Sequence, residues 1–475
     1  MEIGVYKMVG RFASATNSPV VGVVTEKIER NSGRLIAAAL IGLILLLVLI
    51  IYLKIQAMIA ILIGAIVIGL IAGMPFNAII NSVATGMGNT LRGIALLVGL
   101  GSMFGAILEI SGGAQRIATT LVNKFGENKA AWALGITGLV IAMPVFFDAG
   151  LIILIPLAFS LSKKTKKSTL FYAIPLLAGL AVGHAFIPPT PGPILVATML
   201  KVDLGYVIII GIITGTVAMI LAGPVFGKII GNRIFVPVPA SIENTPEYAE
   251  NKLPKFSVVV GIIMIPLILI VLSTVIKLIP SLKGLVPIIG FLGEPFVALT
   301  IATVVAIIIL GLKHGYSREE LEKVMTKSLE PTGLILLVTA CGGVLRYVLQ
   351  DSGLGEVIGA AVSKSTISLI IIAFVVSALV RISVGSATVA MTMGAGFIAA
   401  MPETAALSPL YKACITSAIA GGSTVMSHFN DSGFWLVKSL LQIDEKTTLK
   451  TWTVMETIVG TTGFLVALVI SFFIK

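Results

Sequence analysis

The stretch His184-Ala-Phe-Ile-Pro-Pro-Thr-Pro-Gly-Pro193 interrupts an apolar run that would otherwise be long enough to cross a membrane. Proline has no backbone N–H to donate, so prolines at 188, 189, 191 and 193 with Gly192 among them rule out a continuous helix there. A second polar break, Ser427-His-Phe-Asn-Asp-Ser-Gly-Phe-Trp435, stands in the corresponding place of the other half. Paired broken helices of this kind point to a secondary transporter, whose binding site forms where half-helices meet at mid-membrane.

Composition agrees. The 475 residues are 57% hydrophobic and 12% charged, against about 25% charged in ordinary soluble domains. Apolar runs such as Ile36 to Tyr52, Met58 to Ala72, Val258 to Val275, Phe296 to Leu312 and Val454 to Phe473 recur along the chain, and each suits a hydrocarbon core about 30 Å thick. The net charge of +11 comes from short basic loops at span ends, where cytoplasmic topology puts lysine and arginine, so nucleic acid is not an expected partner. Cys341 and Cys414 lie in apolar segments, which gives neither a disulfide framework nor a metal cluster. Residues 1–34 lack the apolar core of a signal peptide and read as an N-terminal tail.

An internal repeat sets the architecture. Gly112 and Gly353 differ by 353 − 112 = 241, and the same offset pairs Gly101 with Gly342, Gly192 with Gly433 and Asp203 with Asp444. The basic loop Lys163-Lys-Thr-Lys-Lys167 has as its counterpart Met401 to Pro409, which carries no lysine or arginine; the two halves are therefore expected to face opposite ways. That requires residues 130–161 and 367–400 to form re-entrant hairpins. The expected fold is an all-α polytopic membrane protein with about 10 spans and two hairpins in inverted repeats. The first repeat covers 35–227 with a broken helix at 170–202. A proline-rich cytoplasmic linker, 228–256, leads to the second repeat, 257–475, with a broken helix at 409–442. The count puts the tail outside, although Lys7, Arg11, Lys27, Arg30 and Arg34 favour the cytoplasm.

The candidate site follows from polar groups stranded in apolar surroundings. A hairpin tip, Met143-Pro-Val-Phe-Phe-Asp-Ala-Gly150, leaves amides that only protein or a wet cavity can satisfy, which marks Phe147, Asp148 and Gly150. The first break adds Pro189, Thr190 and Gly192, and the second adds Asn430 and Ser432. His184 reads first as a structural residue and second as part of the site. Placing Arg or Asp at a helix centre costs about 2.5 to 3.5 kcal/mol on insertion scales, so Asp148, Arg381, His428 and Asp431 need partners or water. Arg381, with its planar fork, is the first choice for a substrate carboxylate; a structural ion pair to Asp148 or Asp431 is the alternative. Ser383, Ser386 and Thr388 follow it and can donate to substrate hydroxyls, with plain helix packing as the alternative, and Gly385 lies among them as a further site residue. Asp431 and Asp148 are the leading proton carriers, with His428 able to share the role. Sodium, held by Asn430, Ser432 and helix-end carbonyls, is the competing ion. Arg116, Arg346, Asp351 and Glu356 read as interfacial. The polar groups gather at two breaks rather than along a pore, which favours a carrier over a channel, and no metalloprotease spacing suggests an enzyme.

These motifs resemble the gluconate permease family of proton symporters: Gly112 to Thr120, Phe146-Phe-Asp-Ala-Gly150, Pro188-Pro-Thr-Pro-Gly-Pro193, Val384 to Ala390 and Ser427 to Trp435 occur in that family's order. The resemblance spans residues 35 to 475. It implies multi-pass residence in the inner membrane, an elevator-type motion, a homodimeric scaffold amid membrane lipids, and import of a small hydroxylated monocarboxylate without a cofactor. Gluconate, related sugar acids, glycerate and D-serine all fall within it. Asp148 stands where relatives usually carry glutamate, and Thr190 where many carry histidine.

Overall fold

The structure is a computed structural model that describes residues 32–239, 253–354, 357, 368–429 and 431–474. The N-terminal tail up to residue 31, the acidic part of the linker, Glu356 and Asn430 lie outside the described residues. Among the described residues every regular element is helical. The first half runs α1 (Ser32–Ile51), α2 (Ala57–Ala72), α3 (Phe76–Ile110), α4 (Gly113–Phe125), α5 (Ala130–Ala142), α6 (Phe147–Thr165), α7 (Leu170–Phe186), α8 (Pro191–Leu200), α9 (Leu204–Ile220) and α10 (Phe226–Arg233). The second runs α11 (Phe256–Ile276), α12 (Val286–Leu292), α13 (Pro295–Ala306), α14 (Arg318–Ser328), α15 (Glu330–Asp351), α16 (Leu369–Val384), α17 (Ala387–Ala399), α18 (Glu403–Ala406), α19 (Pro409–Gly422), α20 (Ser432–Leu441), α21 (Glu445–Thr448) and α22 (Val454–Phe472). Among these residues, 8 helical stretches are long and apolar enough to cross a membrane. Shorter apolar helices, including α2, α5, α16 and α17, supplement them.

The offset of 241 recurs in the backbone. Helices α8 and α20 correspond end to end, since 432 − 191 and 441 − 200 both equal 241. At the end of α3, Ser111 Oγ donates to the Leu108 carbonyl at 3.1 Å and Gly112 turns left-handed at φ 70°. At the end of α15, Ser352 Oγ donates to the Leu349 carbonyl at 3.0 Å and Gly353 turns at φ 80°. A side chain would be strained at either glycine. Asp203 and Asp444 cap the next helices by accepting from Gly205 N and Thr447 N. The related helices α3 and α15 cross antiparallel, with Ser82 Oγ donating to Asp351 at 2.5 Å and Asn89 to the Tyr347 hydroxyl at 2.8 Å. Further along, Gly86 meets the Gly343 backbone.

Two places depart from the sequence expectations. Helix α10 runs to Arg233, six residues into the stretch read as linker, because Gly227 and Ile230 pack inward. The chain after it is then tied down, with Ser168 Oγ donating to the Ile234 carbonyl at 2.8 Å and Thr169 N to the Val236 carbonyl at 2.9 Å. Likewise α6 continues to Thr165, so Lys163 and Lys164 belong to a helix's last turn, where positive charge suits the helix dipole. Arg116, read as interfacial, clamps the far end of the linker by donating to the Pro254 carbonyl at 2.7 Å and the Leu253 carbonyl at 3.2 Å.

Helix α7 is enclosed almost all round, as a helix apolar on every face must be. It meets α5 backbone to backbone: a Cβ on Gly138 would lie 2.5 Å from the Leu176 carbonyl oxygen. Small residues allow such approaches where no hydrophobic drive separates helix from lipid. The related contact in the second half sets Gly422 of α19 against Phe374 and Ser377 of α16. Both enclosed helices end at the breaks, which they fix in place.

Candidate functional site

Helices α5 and α6 are separated by residues 143–146, and α7 and α8 by residues 187–190. The two breaks face each other beside α3, whose glycines admit them: Gly105 leaves room for the Pro144 carbonyl, and Gly101 lies under the Pro189 carbonyl. Between them is a small cleft of ≈ 10 Å³ lined by Val98, Ser102, Pro144, Phe146, Pro189 and Thr190. That is room for about one water molecule. Thr190 is buried and donates to the Ile187 carbonyl at 2.8 Å, so its hydroxyl closes its own turn. The His184 ring lies 6.3 Å from that of Phe146, and its Nδ1 is enclosed without a partner. Gly192 abuts the Met391 sulfur of α17, which joins the first break to the second half.

The second half supplies the charged centre. In α16, Arg381 is 4% exposed; its Nη2 meets Asp431 Oδ2 at 2.5 Å, and Nη1 donates to the Gly385 carbonyl. Asp431, 12% exposed, is also the N-cap of α20, where its Oδ1 accepts from Gly433 N at 3.1 Å. A carboxylate at a helix N-terminus offsets the partial positive charge there. Ser427 Oγ donates to Asp431 and in turn accepts from Trp452 Nε1 at 2.7 Å, while Thr453 Oγ1 donates to the Ser427 carbonyl. The Trp452 ring packs on Phe147 at 5.4 Å, which brings the start of α6 to this cluster. Asp148, one residue on, is exposed and within electrostatic reach of Asp431.

The remaining candidates divide. His428 Nε2 is 3.0 Å from the Ile382 carbonyl, next to Arg381, and the backbone carbonyl of His428 accepts from Asp431 N at 2.9 Å. Gly385 takes the left-handed turn that ends α16, at φ 80°, and Ser386 caps α17 by accepting from Val389 N at 3.3 Å. Ser383 donates within α16 to the Leu379 carbonyl. Thr388 is half-buried at the start of α17, Ser432 is exposed at the start of α20, and Gly150 packs beneath Leu180. Thus Phe147, Asp148, Arg381, Gly385, His428 and Asp431 come together, whereas Pro189 and Thr190 line the first cleft, with His184 and Gly192 on the helices that flank this break.

Three participants were missed in the sequence. Ser427 and Trp452 give no sign on their own, because only the fold sets them against Asp431. Glu456 did give one: a carboxylate inside the apolar run of 454–473 is a site candidate by the rule that picked Asp148. It is 4% exposed, and its Oε1 has no hydrogen-bond partner. Arg346, read as interfacial, is half-buried in α15, with Nε enclosed and unpartnered. Among the described residues no group of His, Cys, Asp and Glu has the arrangement of a metal centre.

The family profile of the GntP family permeases matches residues 34–473. The chain belongs to this family. The permease is 38% identical over 399 residues to the low-affinity gluconate transporter of Escherichia coli K12, covering 84% of this chain and 89% of that one. It is 34% identical over 400 residues to the high-affinity gluconate transporter of the same strain, covering 84% and 90%, and 35% identical over 405 residues to the gluconate permease of Bacillus subtilis 168, covering 82% and 89%. Among solved structures it is similar in fold to the YdaH transporter of Alcanivorax borkumensis, with a TM-score of 0.59 at 16% identity over 82% of this chain and 88% of that one. The MtrF protein of Neisseria gonorrhoeae gives 0.56 at 15% identity, over 83% and 85%. Membership of a permease family and the helical stretches make it a multi-pass membrane transporter.

Proposed function

We propose that the permease imports gluconate or a closely related sugar acid across the cytoplasmic membrane together with a proton. The observation that carries this reading is the buried Arg381–Asp431 pair at the second break. A guanidinium held by one carboxylate is suited to exchange it for another, namely the substrate's, once Asp431 takes up a proton and no longer competes. The proton and the anion then travel as a neutral pair. Asp148 and His428 stand beside the pair and give protons a route to it, and the exposed start of α20 at Ser432 offers donors for the substrate's hydroxyls. Gluconate transporters among the relatives support the substrate class. Arg381 is the carboxylate ligand and Asp431 the coupling acid.

The first cleft, too small for a six-carbon acid, belongs to the same site in a closed form. Rigid-body displacement of one bundle past the other, with α5–α6 and α16–α17 as re-entrant hairpins, opens it, and a dimeric scaffold would hold the stationary part. On this reading the spans number about ten, because the enclosed α7–α8 and α19–α20 each cross as one broken helix. Counterflow of labelled gluconate in reconstituted vesicles, with and without a pH gradient, tests the proposal. Gluconate and its epimers should compete strongly, glycerate and D-serine weakly, and accumulation should require the pH gradient at constant sodium. Strict dependence on sodium would replace the proton with sodium as the coupling ion.

A further inference from the structure

Glu456 has no part in the reading above, yet it lies in the same cluster. Helix α22 and the helical turn that leads into it, Leu449–Thr453, present one face to the second break: Trp452 and Thr453 bond to Ser427, Thr457 Oγ1 accepts from Met426 N at 3.1 Å, and Gly460 abuts the Gly421 backbone. Glu456 is on that face, one turn after Trp452 and one before Gly460. The charges that act on it are Arg381 from α16 and Asp431 from the break. Among the described residues, the other helices packed against α22 offer no counter-charge: α9 carries no acidic or basic side chain, Lys412 of α19 is turned to the Ala405 carbonyl, and His184 of α7 faces Phe146. The buried cluster therefore sets one guanidinium against two carboxyl groups. Two of its atoms remain unpartnered, Arg381 Nε, a donor, and Glu456 Oε1, an acceptor.

An uncompensated buried carboxylate is costly, so with Arg381 committed to Asp431 the second acid keeps a proton. Once ionised, Glu456 would compete for Arg381 through the free Nε and hold it from the substrate. We propose that Glu456 is a second proton-binding site of the carrier, one that must be occupied before Arg381 can exchange Asp431 for the substrate carboxylate. This rests on the proton-symport reading. In the empty carrier the cluster is Arg381 cation, Asp431 anion and neutral Glu456. In the loaded carrier it is Arg381 cation, substrate anion, and both acids neutral. Binding thus takes up about one proton per substrate while Glu456 is already protonated, and about two where the empty carrier has lost it.

The test counts protons taken up per gluconate bound by purified full-length carrier, by calorimetry in buffers of different ionisation enthalpy, from pH 6 upward. The parent should rise from about one toward about two as pH increases, and Glu456→Gln should stay near one throughout. Identical curves for the two proteins overturn the Glu456 site. Absence of proton uptake in the parent at every pH instead overturns proton symport itself, so the two failures are distinct. Should Glu456→Gln fail to fold, Glu456→Asp keeps a carboxyl group in a shifted position; its rise should persist with a displaced midpoint, and an unmoved midpoint counts against the proposal.

Discussion

At the level of single residues, the proposed exchange turns on the ion pair between Arg381 and Asp431. An arginine in an apolar run reads equally as ligand or as structural partner, and the structure shows it paired in the state described. A carrier that cycles needs both conditions, because a site that never releases its internal carboxylate cannot bind the substrate's. Arg381→Lys keeps the charge but loses the planar fork that holds Asp431 and the Gly385 carbonyl together. Loss of one charge-assisted hydrogen bond costs about 1.5 to 3 kcal/mol, about 10- to 150-fold in gluconate affinity, measured by counterflow or direct binding. Neutral polyols should bind the parent poorly and be unaffected by the change. Unaltered gluconate affinity in Arg381→Lys would move the carboxylate site elsewhere, and Arg346, with its enclosed free Nε, becomes the next candidate. Arg381, Asp431, Asp148 and His428 were all legible in the sequence, since each is polar in apolar surroundings. Ser427 and Trp452 were not, because a hydrogen bond between residues 25 apart depends on how the turn leading into α22 packs.

At the level of elements, the breaks sit where they do because neighbouring helices leave backbone-sized space for them. Gly105 of α3 is a case in point: a Cβ there would run into the Pro144 carbonyl and lie 3.2 Å from its carbon. Gly88 on the same helix has nothing within 4 Å of a Cβ. Gly105→Ala should therefore lose about 1 to 3 kcal/mol of stability from overpacking and slow gluconate uptake by displacing the first break. Gly88→Ala should be neutral or slightly stabilising, as expected for alanine in an open helical position. Thermal unfolding in detergent with uptake rates on the same preparations checks both, and equal effects would show that the fit at Pro144 is not limiting. Prolines and glycines announced the breaks from sequence alone. The exact helix ends did not follow, since α6 and α10 continue as far as packing of Leu161 and Ile230 carries them.

At the level of the whole molecule, repeat and charge bear on one question, the direction in which each half faces the membrane. Helices α3 and α15, equivalent by the 241-residue offset, lie antiparallel in contact, which is the arrangement that an inverted pair demands. The repeat was readable because glycines and capping aspartates have backbone reasons to recur. Which half-helices meet was not, because contacts such as Gly192 with Met391 join segments about 200 residues apart and depend on shape alone. Opposed halves predict that the basic end of α6 and the turn after α17, which carries no lysine or arginine, lie on opposite sides. Lys164 is 70% exposed and suits a cysteine probe. Ala405, its counterpart at the 241-residue offset, is exposed and suits a second probe, whereas the neighbouring Thr404 is buried and donates to the Ile398 carbonyl. With buried Cys341 and Cys414 replaced, a membrane-impermeant maleimide applied to intact cells should label Ala405→Cys and spare Lys164→Cys. Inside-out vesicles should give the reverse, and labelling of both positions from one side would refute the inverted arrangement whatever the fate of the binding site.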